Sequence, residues 1–296
     1  MINKKENTPK IKRYLLALLP LSICNHLDNP NIEKIIKNIA WLLTDKALQL
    51  AIGLLVGAWV ARYLGPSSFG EISYMLALVG IFQIASQLGI NNIAVRELST
   101  EKQLCADIIG TLFRLRIASG LLCFSGAVFS FHLLNPENNS NLLIAAIISG
   151  VLIFQPSEII DLWFQSELKS KRTVYAKLFS SMTANTIKIA LILLQMPLIA
   201  FAIVLFVEAA TFAFALLHSY RKHSIWGYGS WNTNICKKMV KEGAPFFLSG
   251  LLLAVYIQFD KVLIAKIGNT AEAGYYAVAI TLTSIFNVLP MIICMS

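Results

Sequence analysis

Apolar residues run along this chain in blocks of about 20, the length a helix needs to cross ~30 Å of hydrocarbon. Eight such blocks are predicted, at roughly 41–61, 73–95, 108–131, 142–163, 174–195, 198–218, 245–265 and 274–294. The fifth and sixth are separated only by Gln195-Met196-Pro197, where proline breaks the helix. The blocks are continuous, whereas strands of a membrane barrel alternate apolar and polar residues over ~10 positions. The pattern predicts an all-α integral membrane protein of about eight transmembrane helices.

Composition agrees. Apolar residues make up 56% of the sequence, charged residues only 14%, and the mean hydropathy is +0.66. Soluble domains run near 25% charged. The net charge of +9 invites a nucleic-acid partner, but its distribution argues against one. Lys and Arg gather in alternate connections: Lys4 to Lys37 before the first span, Arg96 and Lys102, then Lys169, Lys171 and Arg172, then Arg221, Lys222, Lys237, Lys238 and Lys241. The connections between hold only Arg62 and Lys266. This positive-inside pattern puts both ends of the chain in the cytoplasm, with anionic membrane lipid as a second partner for the basic residues. Residues 1–31 form a cytoplasmic extension. Their Lys10–Arg13 and apolar 14–24 imitate a signal peptide, but Ile23 is too large for a lipoprotein cleavage box and no small-x-small site follows. Ile32, Ile35, Ile36 and Ile39 predict a short amphipathic helix leading into the first span.

A shift of 204 residues aligns the start of the chain with its end. It brings Lys34 and Lys37 onto Lys238 and Lys241, Ala61-Arg62 onto Ala265-Lys266, Gly70 onto Gly274 and Phe82 onto Phe286. The seventh and eighth spans therefore read as a second copy of the first and second, in the same orientation, as in transporters built from parallel repeats. The organisation expected is a six-helix bundle over 32–222 and the first two helices of a second parallel repeat over 235–296. A chain ending at that point reads as truncated, and a truncated chain is expected not to transport by itself.

Trp41-Leu42-Leu43, Ala61-Arg62-Tyr63-Leu64-Gly65-Pro66-Ser67-Ser68-Phe69-Gly70, Leu88-Gly89-Ile90 and Val95-Arg96-Glu97-Leu98 resemble the N-terminal region of polysaccharide repeat-unit (O-antigen type) flippases. These belong to the multidrug/oligosaccharidyl-lipid/polysaccharide exporter superfamily. Pro245-Phe246-Phe247-Leu248-Ser249, Gln258-Phe259-Asp260-Lys261 and Gly274-Tyr275-Tyr276-Ala277 resemble the start of their second half. The resemblance implies two bundles facing a central cavity and alternating access in the bacterial inner membrane. It implies a lipid-diphosphate-linked oligosaccharide as substrate. Polysaccharide polymerase and chain-length proteins are the partners to expect. A drug or cation exporter of the same superfamily, a membrane enzyme of polysaccharide assembly and a non-functional product are the alternatives.

The chemistry-bearing residues are those inside the spans, where each charge costs ~2.5–3.5 kcal/mol at the bilayer centre and so faces protein or water. Asp45, Gln49, Gly53 and Gly57 recur every four residues on one face, with Lys46 beside them. Gln83, Gln87 and Asn91 repeat the pattern in the second span. The third carries Arg114 and Arg116, the sixth Glu208, and the seventh Asp260 beside Lys261. Lys177, Ser181, Asn185 and Lys188 form a polar stripe on the fifth. The candidate substrate-binding residues are Lys188, Arg114, Arg116, Asp260 and Lys46. Lys188 lies too deep to snorkel out and is read as facing a cavity. Arg114 and Asp260 stand open between cavity and interface. Asp45/Lys46 reads as a local pair, Gly53/Gly57 as helix packing, and Arg114 and Arg116 could reach headgroups. Cys24, Cys105, Cys123, Cys236 and Cys294 have no metal-binding spacing. No metal, cofactor, disulfide or catalytic constellation is expected.

Overall fold

The computed structural model describes residues 30–136, 139–223 and 229–283, with side chains described at 49, 52–136, 141–222 and 229–283. The extension before residue 30, the side chains of Asp45 and Lys46, and the end of the eighth span with Cys294 lie outside the described residues. Every regular element in the described residues is helical. They are α1 (Pro30–Ser86), α2 (Asn91–Thr100), α3 (Cys105–Leu134), α4 (Asn139–Ser149), α5 (Glu158–Ser166), α6 (Lys171–Leu193), α7 (Leu198–His223), α8 (Thr233–Ile267) and α9 (Thr270–Thr283). A 3-10 segment, Gly150–Ser157, joins α4 to α5.

The first two spans are the two halves of α1. They are broken at Gly65, which has φ 76° and ψ 168°, immediately before Pro66. Proline disfavours the helical region for the residue before it, and glycine takes the resulting left-handed φ at low cost. The second half stops at Ser86, short of the expected 95. Leu88 and Gly89 both have positive φ, and α2 then starts afresh at Asn91. The fourth span is likewise composite, its 3-10 segment enclosing Pro156. The break between the fifth and sixth spans falls where Pro197 puts it. α6 ends at Leu193, Gln195 has φ 51°, and α7 begins at Leu198.

Five helical stretches among the described residues are long and apolar enough to cross a membrane: 52–100, 102–134, 141–166, 198–222 and 233–267. The first takes in the second expected span and the last ten residues of the first. α6, which carries Lys171, Arg172, Lys177 and Lys188, is not among the five, and α9 is described only as far as Thr283.

Two larger apolar clusters hold the bundle together. One packs Ile108, Leu112, Ile159, Phe164 and Leu216 at the end where the basic residues gather. The other packs Met75, Leu78, Ile148, Leu152 and Ala202 toward the opposite end. α9 packs on α1 more extensively than any other pair of helices. A Cβ on Gly70 would collide with the carbonyl oxygen of Thr270, and a Cβ on Gly274 with that of Pro66. Gly70–Gly274 and Pro66–Thr270 are each 204 positions apart. The contact is thus reciprocal, as expected where two copies of one unit meet about a two-fold axis. Ser67 Oγ and Thr270 Oγ1 lie 2.9 Å apart at the same crossing.

Candidate functional site

On a helix, residues three and four apart share a face. The stripe Lys177, Ser181, Asn185, Lys188 therefore runs about 16 Å along one side of α6. Antiparallel to it, α7 presents Leu205, Glu208, Ala209 and Phe212. Gln49 and Gly53 of α1 close the space between them. The result is a cavity of about 480 Å³ whose charged lining residues are Lys177, Lys188 and Glu208. A second space of about 160 Å³ continues past Gly57, Val60 and Phe201 and shares Gly53, Asn185 and Lys188. Two of the polar stripes predicted from the sequence thus meet in one place, and Gly53 and Gly57 line it.

Lys188 is not a bare cation. Its Nζ donates to Glu208 Oε2 at 3.2 Å, and the two side chains are 19% and 32% exposed. Lys177 Nζ lies 3.5 Å from Asp161 Oδ2 and 6.0 Å from the centre of the Phe212 ring. Two cations and one carboxylate line the cavity. Asp161, which balances Lys177, is buried behind it.

Arg116 occupies a different environment. It is fully buried, and its guanidinium donates to Glu158 Oε2 at 3.1 Å, to Gln155 Oε1 at 3.4 Å and to Asn91 Oδ1. Those acceptors come from α5, the 3-10 segment and the start of α2. Asn91 Nδ2 also donates to Gln87 Oε1 at 3.2 Å, so this polar stripe ends in the Arg116 cluster and not in the cavity. Arg114 is exposed on another face of α3. Asp260 is exposed and accepts from Tyr276 Oη at 3.0 Å, tying α8 to α9, while Lys261 donates to Gln258 Oε1 at 3.2 Å. Neither Arg114, Arg116 nor Asp260 lines the cavity that Lys188 occupies. Of the five candidates, the structure places Lys188 in the cavity and three elsewhere; the Lys46 side chain lies outside the described residues.

Sequence reasoning passed over Glu158 and Asp161. Both are acids inside the fourth expected span, which alone marks them as residues needing partners. Arg116, Lys177 and Lys188 each receive a carboxylate from another helix. Among the described residues no three His, Cys, Asp or Glu side chains gather as a metal site would require. Cys105, Cys123 and Cys236 are free thiols.

The fold is similar to two solved structures, an inward-facing and an outward-facing conformation of a multidrug resistance MATE family transporter of the MOP superfamily. The TM-scores are 0.63 and 0.62 at 16% and 14% identity, over 80% and 88% of this chain. The chain spans 58% and 60% of those two proteins. No curated protein matches its sequence. A family model described as polysaccharide biosynthesis protein matches residues 35–296. This multi-pass helical membrane protein therefore belongs to the polysaccharide biosynthesis protein family.

Proposed function

We propose that the chain serves in a transporter that moves a lipid-diphosphate-linked oligosaccharide, an O-antigen or other polysaccharide repeat unit, across the bacterial inner membrane by alternating access. The family and the transporter-like fold support the class of activity. The observation that carries the substrate class is Lys188, a lysine in the second half of α6 that lines the cavity with Lys177. A diphosphate entering the membrane loses hydration, and a positive charge already in place lowers that cost. Lys177, towards the basic end of the same stripe, offers a second cation along the route. Lys188 is held by Glu208 when no anion is present, so an incoming phosphate competes with one carboxylate for one ammonium. No step in this scheme makes or breaks a covalent bond, and the protein acts as a transporter rather than an enzyme. The Lys and Arg distribution favours a cytoplasmic N-terminus. Polymerase and chain-length proteins of the same assembly route would receive the product.

Deleting the gene should strand lipid-linked repeat units in the cytoplasmic leaflet of the host. Restoring the native gene should clear them, and restoring a Lys188→Ala form should not. Full clearance by Lys188→Ala at equal abundance would remove the case for an anionic substrate. The second reading, export of a cationic drug, rests on Glu208, the one acid at the cavity. Drug resistance conferred by the native gene and lost in Glu208→Gln, with no stranded repeat units on deletion, would establish it instead.

A further inference from the structure

The α6–α7 pair has a second concavity, on the face turned away from the cavity. It has a volume of about 560 Å³ and is lined by Arg172, Tyr175 and Phe179 of α6 and by Phe214, His218 and Thr211 of α7, among others. Its two ends differ in chemistry. Tyr175, Phe179 and Phe214 are 52%, 62% and 67% exposed, and the first two offer aromatic surface along about 6 Å of the α6 axis. At one end lies Arg172, whose Nη1 is buried and has no hydrogen-bond partner. The helices are antiparallel there, so the start of α6 meets the end of α7. Lys171, Arg221 and Lys222, all exposed, therefore flank the same mouth. His218 and Lys222 lie one turn apart on α7, as do Phe214 and His218. No Asp or Glu lines the groove.

We infer that this groove is a binding site for an anionic phospholipid, its phosphate held by Arg172 with Lys171, Arg221 and Lys222, and an acyl chain lying across Tyr175, Phe179 and Phe214. Charge complementarity selects the occupant. The Arg172 guanidinium lies 5.9 Å from the Phe164 ring with one N–H unpartnered, at the head of an apolar channel, and an anionic lipid offers an anion and hydrocarbon in one molecule to match both ends. An apolar helix of another protein would cover the aromatics but offer no counter-charge to Arg172, Arg221 and Lys222. The Lys and Arg distribution places this mouth at the cytoplasmic leaflet, where anionic lipids create a negative surface potential. The site is separate from the cavity, because Lys177 and Lys188 point from the opposite face of α6. It does not depend on what the cavity carries.

The test is native mass spectrometry of the full chain from bilayers that mix phosphatidylglycerol with phosphatidylcholine. One phosphatidylglycerol should be retained in preference. Arg172→Gln should weaken its retention about fivefold, and the double change Arg221→Gln with Lys222→Gln about fivefold for each charge removed. The double variant alters only exposed side chains, so it decides the matter if Arg172→Gln does not fold. Lys237→Gln, a basic exposed position on α8 outside the groove, should leave retention unchanged. Equal retention of both lipids, no loss in the double variant, or an equal loss in Lys237→Gln would overturn the site.

Discussion

Arg116 and Lys188 are both cations inside expected spans, and the protein surrounds them in opposite ways. Arg116 is fully enclosed and donates to three acceptors brought from three other segments. Lys188 is 19% exposed, lines a cavity and has one carboxylate at 3.2 Å. Position inside a span explains why each needs a partner. The number of partners and access to open space separate a cation that fastens helices together from one that can exchange its partner for a ligand. By that measure Arg116 is a fastener and Lys188 is available.

Removing Arg116 breaks this comparison at its most costly point. Arg116→Leu leaves the Glu158 carboxylate and the amides of Gln155 and Asn91 without their donor. Breaking a fully buried pair from one side costs about 3–5 kcal/mol, and the 28% exposure of Glu158 places this pair toward the lower end. A large fall in the thermal unfolding midpoint of purified protein is expected, with much of it recovered by also changing Glu158→Gln. If Arg116→Leu instead unfolds like the native chain and loses only anion binding, Arg116 belongs with the ligand site and the distinction fails.

Lys188→Ala comes next. It should lower affinity for a polyprenyl diphosphate roughly ten- to hundredfold, the range for losing a hydrogen bond to a charged group. Thermal stability should change much less than in Arg116→Leu, since Glu208 can turn to the cavity. Lys188→Arg should keep part of the affinity. Binding can be followed by tryptophan fluorescence or calorimetry in nanodiscs.

Glu208→Gln sharpens the same point with the opposite sign. With the carboxylate gone, Lys188 has no internal anion to give up, and diphosphate should bind more tightly. A pair near 4 Å in a watery cavity is worth about 1 kcal/mol, so a gain of about fivefold is expected. Weaker binding in Glu208→Gln would mean that Glu208 orients the ligand itself.

The helices were legible because apolar blocks and two prolines carry strong local signals. Gly65-Pro66 divides α1, and Pro197 follows the end of α6. The end of α1 at Ser86 was not legible, because apolar residues run on from 73 to 95 and hide the turn at Leu88-Gly89. Its only local mark is Gly89, which also sits against the backbone of Gly243 and Phe247 on α8. For the site, helical periodicity suffices to place Ser181, Asn185 and Lys188 on one face. It cannot say which stripes meet, since that depends on how helices pack. Gln49 and Gly53 therefore reached the cavity, while Gln83, Gln87 and Asn91, equally periodic, did not. The carboxylates that pair with Lys177, Lys188 and Arg116 come from other helices, 16, 20 and 42 positions away in sequence, which is beyond what spacing reveals.

A third charged cluster extends the comparison toward water. At the basic end Arg96 Nη2 lies 2.5 Å from Glu242 Oε2 and 3.1 Å from Glu97 Oε1, and Lys238 Nζ lies 2.6 Å from Glu97 Oε2. The four residues tie α2 to the start of α8. Arg96 and Lys238 are 57% and 50% exposed, so water and salt compete for them as they do not for Arg116. Exposed pairs contribute little and are screened by salt. Glu242→Gln should therefore lower the unfolding midpoint by at most about 2 °C at low ionic strength. The difference should vanish near 1 M salt, where the Debye length falls to about 3 Å. The fall caused by Arg116→Leu should persist there, because no salt ion reaches its guanidinium. A loss in Glu242→Gln that matched Arg116→Leu in size and survived high salt would show that the α2–α8 tie is as closed to solvent as the Arg116 cluster, and exposure would no longer separate the two.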